Sequence, residues 1–330
     1  MLNPNLNLNQ KLFDEDVQVE PTRAGFGSGL LQLGETNPNV VALSADLTES
    51  TQVNKFAEKF PERFFEIGVA EQNMAAVAAG LAVSGKVAFI SSYATFSPGK
   101  NWETIRTTAV YNEANVKIAG HHSGVMTGPD GATHQATEDI AITRCWPNMH
   151  VYVPCDSVEA KKATIASADI NTAVYIRYTR DKTPIITTDE TPFKVGKVQT
   201  FWTTENPKVT IFATGYMLYY ALLAAKELEE EKIQVLVVNV ATIKPLDEEG
   251  ILEATRVSQA VVTVEDHQVE GGMGSAIAEL LAKTTPLPIE FIGLQNTFAE
   301  SGTPKELIEK YGMGAKDIKE AVKRVIRRKL

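Results

Sequence analysis

Three of the chain's five histidines fall between Gly120 and Gln135, in Gly-His121-His122-Ser-Gly-Val-Met-Thr-Gly-Pro-Asp130-Gly-Ala-Thr-His134-Gln. Histidines in such a glycine-rich loop donate hydrogen bonds or move protons near neutral pH, and Asp130 can accept hydrogen bonds from sugar hydroxyls. The same residues would also make a polar turn whose histidines cap backbone groups. Zinc is disfavoured, because an adjacent pair and a distant third lack the spacing of a helical or knuckle site. Glu71, in Phe65-Glu-Ile-Gly-Val-Ala-Glu71-Gln-Asn-Met74, stands at the entrance to an Ala/Gly-rich stretch. Position alone reads it as a carboxylate favoured by a helix dipole. Burial beside small apolar residues would instead ready it to share a proton with a heterocycle nitrogen. Arg23, Ser50, His122 and Arg180 each fall at a predicted element end or loop. Arginine binds phosphate bidentately, and serine and histidine can complete an oxyanion cage. Taken singly, each arginine reads as solvated surface.

The elements that must position these residues read as α/β. Short apolar, β-branched runs at 39–44, 86–91, 115–120 and 150–154 predict buried parallel strands, with an Ala/Gly-rich helix over 74–83 packed centrally between the first two. The histidine loop then follows a strand's carboxyl end, where ligand crevices of open α/β sheets lie. Over 183–208 helical periodicity gives way to Pro184, Pro192, Pro207 and several threonines, as in a linker or edge strand. A second α/β pattern comes next, with strands at 209–214, 234–239 and 260–264 and a helix over 219–231. The expected division is an arm over 1–19, one α/β domain over 20–190 and another over 191–330, both with mainly parallel sheets.

Composition narrows the function. The excess of 41 Asp+Glu over 32 Lys+Arg, a net charge of −9, argues against a nucleic-acid partner. The basic run over 323–329 reads as the cationic last turns of a helix. Cys145 and Cys155 are too few for a disulfide framework or a zinc site, so a reducing, cytoplasmic setting is expected. The Asn-rich N-terminus lacks the basic start and apolar core of a signal peptide, and no run reaches membrane-spanning length.

Ser44-Ala-Asp46-Leu-Thr-Glu-Ser50, Gly68-Val-Ala-Glu71-Gln-Asn-Met74 and Gly128-Pro-Asp130-Gly-Ala-Thr-His134-Gln135 together resemble transketolases, in this order and at similar spacing. Arg144-Cys-Trp-Pro-Asn148, Arg180-Asp-Lys-Thr-Pro184, Thr242-Ile-Lys-Pro-Leu-Asp247 and Glu265-Asp-His267 extend the likeness into the second domain. The family's diphosphate domain, with its Gly-Asp-Gly and Asn ligands for the metal, has no counterpart here. The chain therefore resembles the C-terminal subunit of two-gene transketolases, a thiamine-diphosphate-binding fold made of a pyrimidine-binding and a C-terminal domain.

The resemblance implies thiamine diphosphate as cofactor, Mg²⁺ (or Ca²⁺) held by a separate N-terminal subunit, and two copies of each subunit. It implies that Glu71 hydrogen-bonds ring nitrogen N1′ of the aminopyrimidine, that Phe96 packs on that ring, and that Asp46 belongs to the cofactor-binding set. His134 matches a catalytic histidine beside the reacting end of the substrate, Asp130 a reader of the acceptor's C2 hydroxyl, and Arg23, Ser50, His122 and Arg180 a phosphate cage. Gly99 and Trp102 depart from the family's further aromatics. The implied reaction is transfer of a two-carbon ketol unit between sugar phosphates. A 2-oxoacid dehydrogenase β subunit would be expected to lack the phosphate cage, and deoxyxylulose-phosphate synthase usually lacks a match to His122. A catalytically inactive scaffold of the same fold would not be expected to keep Glu71 and His134.

Overall fold

The computed structural model describes residues 1–329. Seven strands form the first sheet, in the order Thr242–Lys244, His150–Tyr152, Val174–Arg177, Val116–His121, Val87–Tyr93, Val40–Ser44 and Phe64–Glu66. All neighbours are parallel except Thr242–Lys244, which comes from the second half of the chain and runs antiparallel to His150–Tyr152. Val40–Ser44 and Val116–His121 are buried along their whole length, as strands covered by helices on both faces must be. Helix Thr22–Thr36 lies so close to helix Ser157–Ser167 that a Cβ on Gly25 would come 1.9 Å from the Ser157 carbonyl oxygen. The Ala-rich helix, expected from Met74, begins at Glu71 and runs to Val83, burying Met74, Ala75, Ala78, Ala79 and Ala82 in the core under the sheet.

The second sheet runs Ile289–Leu294, Val261–Gln268, Val209–Ala213, Val235–Asn239 and Gln199–Trp202, the last antiparallel to its neighbour. The expected strands at 209–214, 234–239 and 260–264 are all present within a few residues, and the helix over 219–231 is Met217–Glu230. The proline-rich connection is both linker and edge: Thr183–Pro184 pairs with Val19–Glu20, and Gln199–Trp202 forms the sheet's edge. The basic run closes helix Ala315–Arg327 and continues past it: Lys323 pairs with Glu231, and Arg324 and the capping Arg328 with Glu290. Among the described residues no helix is long and apolar enough to cross a membrane.

The Asn-rich arm is a strap across this second sheet. Asn3 donates its amide to the Phe201 carbonyl at 2.8 Å and its carboxamide to the Thr200 carbonyl at 2.7 Å, while Asn9 does the same at Ile186 (2.9 Å) and Ile185 (2.7 Å). The asparagines thus satisfy backbone groups of a connection that has no second strand beside it. Along the same arm Leu8 and Leu12 are buried in the second core, and Phe13 meets Trp202 edge-on at 6.2 Å with Lys226 Nζ over its ring at 4.8 Å. Leu12→Ala is expected to cost about 2–3 kcal/mol in chemical denaturation, the low end for a buried leucine because a peripheral strap can partly collapse. A loss under about 0.5 kcal/mol would show that the strap does not contribute to the core.

Candidate active site

In a parallel sheet the segments that leave the carboxyl ends of the strands gather along one edge. Asp46 and Ser50 come after Val40–Ser44, Glu71 after Phe64–Glu66, Phe96 after Val87–Tyr93, His122 and His134 after Val116–His121, and Arg180 after Val174–Arg177. Arg23 joins them from the start of helix Thr22–Thr36. The crevice opens where Val40–Ser44 and Val87–Tyr93 lie side by side while their connections leave in opposite directions, the topological switch point of an open α/β sheet.

At one end of this edge is Glu71. Its side chain is 3% exposed, and Oε2 accepts a 2.6 Å hydrogen bond from Lys100 Nζ, leaving Oε1 without a partner among the described residues. Asn101 Nδ2 donates to the Glu71 carbonyl at 2.9 Å and to Ser97 Oγ at 3.2 Å, tying the helix start to the segment that carries Phe96.

The middle is aromatic. Phe96 meets Tyr93 in a stacked arrangement (centroids 5.9 Å apart) and His134 edge-on (5.5 Å), and Tyr93 stacks on His122 at 3.8 Å. His134 Nδ1 shares a 2.8 Å hydrogen bond with Thr133 Oγ1, while Nε2 has no partner among the described residues. Burial, with the charges of Arg23, Arg180 and His134, pushes the pKa of His122 down to about 3, so its ring is neutral at physiological pH. Its Nδ1 is buried without a hydrogen bond.

At the far end, Arg23 and Arg180 line a cavity of about 380 Å³ together with Met126, Pro129, Asp181 and, from the C-terminal half, Thr303 and Pro304. Arg23 Nη1 donates to the Ser50 carbonyl at 2.7 Å while its Nε is buried without a partner. Arg180 Nη1 donates to the Thr127 carbonyl at 2.7 Å and lies 3.4 Å from Asp130. Burial and, more weakly, the facing Arg180 lower the pKa of Arg23. Two guanidiniums with spare donors at the mouth of a cavity suit an anion.

Most of the predicted residues therefore converge. Asp46 is the exception: it is exposed, in a left-handed conformation (φ 59°), and joins its neighbours through an amide that donates to Glu66 Oε1 at 2.7 Å. Trp102 turns away, stacking on Trp146 at 5.2 Å and donating to the Ile142 carbonyl, and Gly99 is exposed. Tyr93, Lys100, Thr303 and Pro304 were not foreseen. Tyr93 could have been flagged from its place at the end of a strand. Among the described residues no three His, Cys, Asp or Glu side chains are grouped to hold a metal.

A buried carboxylate, an aromatic row and an arginine-lined cavity thus follow one another along the carboxyl edge of the first sheet in a two-domain α/β chain. The description "Transketolase, pyrimidine binding domain" matches residues 20–185, and "Transketolase, C-terminal domain" matches residues 199–318. The chain belongs to the transketolase family, whose members use thiamine diphosphate. It is 39% identical to the 6-deoxy-6-sulfo-D-fructose transketolase subunit SqwH of Clostridium sp., over 96% of this chain and 98% of that one. Human transketolase is 34% identical over 92% of this chain but only 49% of its own length. A solved split-gene transketolase, described as an inactive beta4 tetramer, superposes with a TM-score of 0.87 at 44% identity, covering 94% of this chain and 99% of that one.

Proposed function

We propose that this chain is the cofactor-activating subunit of a two-chain transketolase, moving a two-carbon ketol unit from a ketose phosphate to an aldose phosphate. A separate subunit supplies the diphosphate site and its Mg²⁺ or Ca²⁺, with two copies of each chain in the assembly. The observation that carries this reading is a row along one edge of the first sheet: buried Glu71, tied through Asn101 and Ser97 to the segment that carries Phe96, then Tyr93, His134 and His122, then the cavity lined by Arg23 and Arg180. Full-length coverage of subunits named as parts of transketolases, against half-length coverage of the human enzyme, supports the missing partner. So does the description of the split-gene relative's β tetramer as inactive.

The residues fit thiamine diphosphate. Glu71 offers a buried carboxylate with one oxygen unengaged, and Phe96 offers an aromatic face. When bound, the cofactor supplies the nucleophilic carbon and the electron sink for breaking a carbon–carbon bond. Glu71 would hold a proton at ring nitrogen N1′ and Phe96 would pack on the ring, while Asp46, exposed and outside this cluster, draws no support from the geometry for its expected place in the cofactor set. His134 presents Nε2 to the hydroxyls that gain or lose protons. Asp130 accepts from an acceptor hydroxyl, and Arg23, Ser50, neutral His122 and Arg180 grip the phosphate. Two relatives are named for a sulfo-sugar and a sugar phosphate, and both carry an anionic group for such a grip.

The test uses the reconstituted complex and Arg180→Ala. Removing one charge-assisted contact, about 1.5–3 kcal/mol, should lower efficiency with xylulose 5-phosphate roughly ten- to hundredfold. Hydroxypyruvate, a two-carbon donor without phosphate, should lose little at the donor half-reaction. Equal losses for both donors would mean that Arg180 serves folding or assembly, and the phosphosugar reading would fail.

A further inference from the structure

The ion pair on Glu71 is asymmetric. The carboxylate is 3% exposed and has little access to water, whereas the Lys100 side chain is 47% exposed and its ammonium has no other hydrogen-bond partner among the described residues. The backbone does not need the pair, because Asn101 independently bonds the Glu71 carbonyl and Ser97 Oγ. Lys100 also ends the irregular segment Thr95–Lys100 that carries Phe96, so the counter-ion and the aromatic wall ride on one short stretch of chain. A buried carboxylate left unpaired is costly, and a lysine on a flexible stem can cover it and withdraw into solvent.

We propose that Lys100 is a removable counter-ion, pairing Glu71 while the aminopyrimidine is absent and releasing it to water when the cofactor's ring nitrogen arrives. The inference rests on the reading that Glu71 contacts that ring. Lys100 is then a positioning residue acting through Glu71. The pair exists in the unloaded state and not in the loaded one, so removing the ammonium penalises only the unloaded protein. Lys100→Met keeps the apolar stem and should tighten thiamine diphosphate binding by about three- to tenfold, a range set between an exposed ion pair and a charged hydrogen bond. It should also lower the melting temperature of the unloaded subunit, because Glu71 is left alone.

The experiment is calorimetric titration of thiamine diphosphate, with Mg²⁺ present, into the complex with the diphosphate-binding subunit. Wild type, Lys100→Met, Lys100→Gln, Glu71→Gln and Lys100→Met/Glu71→Gln are compared, with thermal melts of each unloaded chain. Tighter binding by both lysine variants, with the lysine effect on binding and melting abolished in the Glu71→Gln background, is the expected result. Unchanged or weaker binding by the lysine variants would overturn the proposal, since the lysine would then be idle or would stay and assist the ring. Failure of the Glu71 reading shows elsewhere, as a Glu71→Gln complex whose bound cofactor exchanges its C2 hydrogen at the wild-type rate.

Discussion

Glu71→Gln is expected to slow hydrogen–deuterium exchange at C2 of bound thiamine diphosphate by about 10²–10⁴-fold, the range for losing a positioned acid–base group. The substitution preserves shape, and the new amide oxygen can still accept from Lys100, so the fold should survive. What disappears is the proton that a carboxyl can share with ring nitrogen N1′. Cofactor affinity should fall much less, because on the proposed two-chain reading most of the anchoring belongs to the diphosphate and its metal. Acid-quench exchange in the reconstituted complex, read by proton NMR, separates the two effects. An exchange rate equal to wild type would remove Glu71 from its assigned role whatever happened to turnover.

The crevice was legible in the sequence because parallel α/β sheets force loops after strand carboxyl ends onto one edge. Glu71, Phe96, His122, His134 and Arg180 each sit just past such an end, and the structure brings them together. Lys100 was not legible, because pairing it with Glu71 depends on a tertiary approach between two segments that no periodicity encodes. The strand Thr242–Lys244 shows the same limit: the sequence marks it only as part of a family motif, and its partner lies in the first half of the chain. The motifs that mark the family divide along this line as well. Lys244 donates to the Arg144 carbonyl at 3.0 Å and also to that of Trp146, and Arg144 itself donates to the Gly271 carbonyl. Within Glu265-Asp266-His267, Glu265 accepts the amides of Met273 and Gly274, and His267 Nε2 accepts the amide of Ala141 at 3.3 Å. Lys244, Arg144 and His267 join the two halves of the chain and Glu265 holds the start of a helix within the second, roles that composition and spacing could not distinguish from catalytic work.

The other large effect is expected at Arg177, which lies in the first sheet's interior, at 5% exposure, and holds both halves together. Its Nε lies 2.8 Å from Asp139 Oδ2, and its Nη2 donates to the Ala136 carbonyl (3.1 Å) and the Asp266 carbonyl (2.7 Å). Asp266 in turn accepts the Val125 amide at 3.0 Å, so one guanidinium fixes both ends of the histidine loop and the second domain's longest strand. The packing is tight enough that Gly124, at φ +67°, could carry no Cβ without meeting Asp266 Oδ2 at 1.8 Å. Burial works against the charge on Arg177, but Asp139 and then Asp266 outweigh it and push its pKa up. Burial has the upper hand at Asp266, whose pKa is raised despite Arg177. Asp139 at 2.8 Å is therefore the principal counter-ion, and Asp266, 4.0 Å from Nη1, the weaker one. Arg177→Met should cost about 3–5 kcal/mol at pH 7, because it strands buried carboxylates without a partner. The sign of the pH dependence is set by Asp266. Arg177 is the charge that lowers the Asp266 pKa against burial, so without it Asp266 takes up its proton at higher pH in the folded variant than in the wild type, and the deficit of the variant should shrink as the pH falls from 7 towards 5. Denaturant unfolding of wild type and Arg177→Met across that window measures both. A deficit that stayed under about 1 kcal/mol, or one that grew as the pH fell, would mean that the guanidinium does not hold the histidine loop and the second domain in place.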